Sequence, residues 1–215
     1  SLLLVATLGC NSGAPASVSS PLDVPTPSFH EAPQGFELTE LSPTAIVVTT
    51  QPYAANSLLV RTVSGEILLV DSPSTPADTT ALVDWIEHHW AAPVRWGITS
   101  HWHNDASAGN QVLIARGVEV ISSARTAAAI EARGDELREG LIAHFADRDP
   151  DTAAELQELD PTPANRTLEI KDRVELTLGG EAVVLMYPGP SHSDDSIAIY
   201  LPTRQLLYGG CTVRS

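Results

Sequence analysis

The sequence predicts an α/β layered sandwich, and three observations carry that prediction. Short β-branched runs cluster early and late in the chain, helical periodicity fills the middle, and Gly, Pro and Ser-Gly punctuation separates the segments. With 215 residues and 43% hydrophobic content, there is enough apolar material for one well-cored domain.

Order is expected from about Phe36. Ala45–Gln51, Asn56–Val63 and Glu66–Ser72 read as a meander of antiparallel strands, with Ser64-Gly65 as a turn. From Thr75 to Trp90, Ala81, Leu82, Trp85, Ile86 and His89 recur at helical spacing, and Ser74 or Thr75 can cap the start. Pro93–Ser100 is an apolar strand. A helix start at Gly109-Asn110, a buried strand at "VEVISS" and a helix at "ARTAAAIEARG" follow. Asp135 to Pro163 is polar and helical in two pieces, and His144 falls there as a surface or core-edge residue. Val174, Leu176 and Leu178 alternate as in a half-buried strand, and two last strands flank Pro202-Thr203-Arg204. His88 and His89 are helix positions with no partner at ligand spacing.

Residues 1–10, "SLLLVATLGC", read as the tail of a signal peptide; Thr7-Leu8-Gly9-Cys10 resembles a bacterial lipobox with lipid on Cys10. Residues 11–35 are rich in Ser, Pro, Ala and Gly and read as a disordered tether, with His30 a solvated linker residue. The expected organisation is therefore a leader at 1–10, a tether at 11–35 and a domain at 36–215, in a periplasmic or otherwise exported protein.

The formal net charge is -15 and Lys171 is the only lysine, so a phosphate backbone would be repelled and nucleic-acid binding is excluded. No apolar run approaches the roughly 20 residues that span a bilayer. Two cysteines, Cys10 and Cys211, cannot build a disulfide framework, and a bridge between leader and far end is not expected.

The chemistry concentrates in "SHWHNDASAGN", Ser100–Asn110. It starts where a strand ends, the place from which a rigid scaffold presents ligands. Alternate residues of an extended segment share a face, so His101 and His103 can meet one metal and Asp105 can continue into the same cavity. Imidazole and carboxylate suit zinc. A polar loop with two incidental histidines would show the same pattern. The second piece is "YPGPSHSDDS", which puts His192 in a Gly/Pro-bounded loop, followed by Cys211 directly after Gly209-Gly210 at another strand end.

His101-x-His103-x-Asp105, His192 and Gly-Gly-Cys211 together resemble the zinc-dependent (class B) metallo-β-lactamases, in the di-zinc subclass whose first motif position is His. "LLVDSPSTPADTTALVDWI" is similar to that family's Asp-Thr-Pro strand and following helix, so the resemblance runs from about Ile46 to Arg214. It implies an αββα sandwich with the C-terminal part of the second half missing, and it implies β-lactam hydrolysis by metal-bound hydroxide. It further implies that His101, His103 and His192 hold one zinc and that Asp105 and Cys211 serve a second. Asp105 would orient the nucleophile, and Arg214 would pair with the substrate carboxylate. A sixth ligand, a histidine beyond Cys211, would lie past Ser215, and the chain reads as a fragment of a longer, monomeric protein. Ala106 departs from the family's usual Arg. A flexible hairpin over the substrate corresponds to Thr50–Asn56, with Tyr53 offering an apolar face. The alternatives are a thioester or lactone hydrolase of the same fold, against which Cys211 argues, and an inactive zinc-binding lipoprotein.

Overall fold

The computed structural model describes residues 32–51 and 54–212. Seven strands form one sheet in chain order: β1 (Phe36–Ser42), β2 (Ala45–Thr50), β3 (Ala55–Arg61), β4 (Ile67–Val70), β5 (Val94–Thr99), β6 (Glu119–Ser123) and β7 (Arg166–Leu168). The first four run antiparallel, as the meander predicts, and the last three join parallel. Parallel neighbours need crossovers, and the helices supply them. A second, antiparallel sheet holds β8 (Arg173–Leu178), β9 (Glu181–Met186), β10 (Ala198–Leu201) and β11 (Leu206–Tyr208), in the order β11-β10-β9-β8.

Continuous burial along β3 and β4 shows what lies on either side. Leu59, Ile67 and Leu69 pack with Leu82, Trp85 and Ile86 of α1 (Pro76–His89) on one face. Leu58, Val60, Leu68 and Val70 pack with Leu178, Val183, Leu185 and Ile199 of the small sheet on the other. The described layers are thus helix, large sheet, small sheet. A helical layer beyond the small sheet is not among the described residues. Each fully buried Leu or Ile in these two cores contributes about 1.5–3 kcal/mol of transfer free energy.

Three local outcomes differ from the expectation or refine it. Phe36–Ser42, unassigned as a strand from sequence, pairs with β2 at the sheet edge. Thr75 is the N-cap of α1, its hydroxyl accepting from Asp78 N at 3.1 Å. The two helical pieces expected around Asp135 join as one 22-residue helix, α4 (Ala124–Phe145), which continues into α5 (Pro150–Gln157) through a cap by Asp149. Gly134 does not break α4. A Cβ there would stand 2.5 Å from Pro161 Cβ, so the glycine lets the α4 backbone approach that segment.

Candidate metal centre

The chain after β5 turns instead of continuing extended. His103 is the N-cap of a one-turn helix, α2 (Asn104–Ser107), and Asp105 sits in its first turn. The expected alternation of His101, His103 and Asp105 along a strand is therefore incorrect in its geometry, although the three do converge. The bend at 101–103 together with the first turn of α2 brings Asp105 Oδ1 to 3.3 Å from His101 Nε2. A second helix, α3 (Asn110–Ala115), starts at Gly109 as the spacing predicts.

This turn is buttressed from the end of β4. Ser72 N and Oγ both donate to Ala106 O, at 3.1 and 3.2 Å, and Gly109 N donates to Ser72 Oγ at 2.7 Å. A Cβ on Gly109 would fall 2.4 Å from Thr79 Oγ1. Ala106 is 1% exposed. Asp105 takes its contacts from His101 and from Cys211, whose Sγ donates to Oδ2 at 3.3 Å.

The small sheet contributes the remaining groups. His192 lies in the loop between β9 and β10, and Cys211 in a 3-10 turn directly after β11. His103 Nδ1 and His192 Nε2 are 3.0 Å apart, so one of them carries the hydrogen. The ring centroids of His101, His103 and His192 are 4.9–5.1 Å apart, with each pair near perpendicular. Ligand atoms of His101, His192 and Cys211 lie within 4.8 Å of one another, as do those of His101, His103 and Asp105. His101 Nε2 is buried and faces this cluster, with Asp105 Oδ1 at ion-pair distance but no well-aligned hydrogen bond. Such an imidazole nitrogen among two further imidazoles, a thiol and a carboxylate fits a zinc ion.

Behind His101 stands a hydrogen-bonded support that sequence reasoning did not assign. Ser100 Oγ lies 3.0 Å from His101 Nδ1 and donates to Asp71 Oδ2 at 2.6 Å, while Ser100 N donates to Asp71 Oδ1 at 2.7 Å. The Tyr208 hydroxyl faces two acceptors, Asp71 Oδ2 at 3.0 Å and Asn56 O at 2.5 Å. Asp71 itself holds a φ of 56°, outside the usual range for a residue with a Cβ. The one available signal was a carboxylate ending the wholly apolar run "ILLV". Such a partner on Nδ1 fixes the tautomer that leaves Nε2 free for a metal.

Burial pushes the Asp71 carboxyl up to about 6, against the opposing influence of His101 and the Ser100 bonds. For His101, burial works downward, but the contacts with Asp105 and Cys211 and the charge of Asp71 outweigh it and lift the imidazole to about 10. Burial and the neighbouring His101 charge lower His103 to about 4. Asp105, although burial opposes it, is drawn down to about 2 by its bond and charge interaction with His101. The metal-free cluster thus places one proton on His101 and keeps Asp105 ionised.

Arg214, Tyr53, Cys10 and His30 lie outside the described residues. Cys211 is a free thiol. His88 is exposed on α1, away from the cluster, and His144 is exposed on α4 beside Arg148, as expected of a surface position.

No protein-family model matches the chain. It is 29% identical over 161 residues to the metallo-beta-lactamase type 2 of Bacillus cereus, covering 75% of this chain and 52% of that protein. To the metallo-beta-lactamase type 2 of Bacteroides fragilis it is 26% identical over 146 residues, covering 68% and 47%. The chain spans about half the length of the curated relatives it matches. Among solved structures, a metallo-beta-lactamase from Pontibacter korlensis superposes with a TM-score of 0.62 at 24% identity, over 84% of this chain and 73% of that one. One from Hirschia baltica gives 0.63 at 23% identity, over 84% and 73%. The chain has the metallo-β-lactamase fold, and its sequence relatives are the class B enzymes of that fold.

Proposed function

We propose that the protein hydrolyses the amide bond of β-lactams with zinc as cofactor. The observation that carries this reading is the convergence of three histidines, one aspartate and one cysteine from both sheets, in a chain whose relatives are metallo-β-lactamases. His101, His103 and His192 would hold one zinc, and Asp105 and Cys211 would serve a second. Bound zinc supplies Lewis acidity and brings the pKa of a coordinated water from 15.7 towards about 7.

The chain's own residues then have distinct tasks. Asp105 is a carboxylate throughout the neutral range, so it accepts a hydrogen bond from the attacking water and orients it. Ser100, held by Asp71, accepts from His101 Nδ1–H and so keeps Nε2 directed at the cluster. Arg214, three residues after Cys211, supplies a guanidinium for the substrate carboxylate. The leader-like residues 1–10 and the tether at 11–35 support an exported protein with lipid on Cys10, acting as a monomer on drugs that reach the cell envelope.

Turnover of nitrocefin by the zinc-loaded protein, abolished by EDTA and restored by zinc, is the expected result. Hydrolysis of a thioester or lactone without any nitrocefin turnover, or one bound zinc per chain with no turnover of either, would overturn it.

A further inference from the structure

Along the outer side of α4 runs a cleft of about 590 Å3, lined by Trp102, Arg133, Leu137, Gly140, Leu141 and Phe145 among others. That volume lies within the range of small-molecule sites, about 300–1,000 Å3. From Arg133 to Phe145 the helix advances about 18 Å, at 1.5 Å per residue. The cleft lies outside the ligand cluster but shares a wall with it. Trp102 sits between His101 and His103 in the chain, and its ring centroid is 4.6 Å from that of His103.

Two features say what the cleft takes. Its floor is apolar, from Leu137, Leu141 and Phe145. At one end the Arg133 guanidinium stacks 4.1 Å from the Trp102 ring centroid, and no ion pair or hydrogen bond to Arg133 is found among the described residues. Stacking uses the face of a guanidinium and leaves its N–H edge directed outward. Arg61, Arg95, Arg125 and Arg148 likewise have no acidic partner among the described residues, but of these arginines Arg133 is the one that lines the cleft. A second cation, Arg148, lies against His144 at the far end, its Nη1 2.8 Å from Nε2. Glu136 is the one acid in the lining, three residues from Arg133 on the same helix, yet no ion pair joins them.

We propose that this cleft binds an amphipathic organic anion, with its carboxylate on Arg133 and its aromatic or alkyl body along Leu137, Leu141 and Trp102. The site does not depend on the hydrolase reading, because none of these side chains is a proposed metal ligand. Gly140 offers a direct handle. A Cβ there meets nothing within 4 Å, so a large side chain enters open space in the cleft and favours the helix.

The test uses the full chain, stripped of metal with EDTA, titrated with phenylbutyrate and separately with phenylbutanol. Binding is read as the shift of the Trp102 indole N–H resonance, assigned with Trp102→Phe. Saturable binding of phenylbutyrate is expected, weakened at least about fivefold by Arg133→Gln or by exchange of the acid for the alcohol. Gly140→Trp, which leaves Arg133 in place, is expected to abolish it. Equal binding of acid and alcohol, an unchanged affinity in Gly140→Trp, or no shift of Trp102 at all would each overturn the proposal. So would binding seen only in the zinc-loaded protein.

Discussion

His101 is 2% exposed at the end of β5, and Ser100 beside it is bonded through its N, its Oγ and its carbonyl, which accepts from Ile197 N at 2.9 Å. His192, by contrast, is exposed in a loop that is knotted mainly upon itself. Ser193 Oγ donates to Asp195 Oδ1 at 2.6 Å and shares a hydrogen with Ser196 Oγ at 2.7 Å, and Tyr187 OH donates to Asp194 O at 2.9 Å. Cys211 is half-buried in a short 3-10 turn, whose Thr212 hydroxyl lies 3.4 Å from Ser191 Oγ. The large sheet therefore offers preformed ligands on a buried base. The small sheet offers ligands on loops that hold their own shape. A ligand set built this way spends little ordering entropy on its first half, and a shared ion would tie the second half to it.

The largest expected effect breaks the preformed half. His101→Ala should lower nitrocefin turnover at least about a thousandfold, because metal-ion stabilisation of several kcal/mol is lost and each 1.36 kcal/mol is tenfold. Loss equal to or smaller than that of His192→Ala would contradict the ranking of the two halves.

Next comes the buried carboxylate beneath it. A folded-state pKa raised from 3.8 to about 6 means that Asp71 favours folding fully below about pH 4, and that this contribution disappears as pH rises through about 6. That rise corresponds to about 3 kcal/mol. Urea unfolding of the metal-free protein should therefore show wild type losing stability relative to Asp71→Asn between pH 4 and pH 6. Parallel pH profiles for the two proteins would rule this out.

Smaller still is the effect of the serine that joins them. Ser100→Ala should weaken zinc binding about 10–100-fold, the usual cost of removing a partner behind a metal-ligating histidine, as read by competition with a chromophoric chelator. The same measurement on Ser193→Ala, in the self-knotted loop, should show less. Tyr208→Phe removes one hydroxyl that faces Asp71 and Asn56, and about 1 kcal/mol of unfolding free energy is expected to go with it. An unchanged midpoint in denaturant would mean the hydroxyl contributes nothing net.

The comparison also explains what was legible beforehand. The strands other than β1, α1 and the five ligand candidates follow from periodicity and from unusual residues at strand ends, both local properties of the chain. Strand alternation does not account for the convergence of His101, His103 and Asp105, because a helical turn of four residues at Asn104–Ser107, too short to carry a periodic signal, places Asp105. The need for glycine at position 134 is set by its approach to Pro161, 27 residues on, which no local pattern announces. Asp71, Ser100 and Tyr208 could not be grouped from sequence, since 137 positions separate the first from the last and ordinary strand residues surround them. Their meeting is a property of how the sheets stack. Arg214 and Tyr53 stay expectations, because they lie outside the described residues.

Ser100 has one more consequence, for the order of events during folding. It bonds Asp71 just after β4 and Ile197 before β10, and its Oγ lies 3.0 Å from where a Cβ on Gly210, beside the cysteine, would stand. These segments close loops of very different length, and long closures come late. Neither sheet alone brings the ligands together, so competence to capture an ion marks the completion of docking and not the formation of secondary structure. In a refolding experiment, uptake by a metal indicator should lag behind the recovery of circular dichroism.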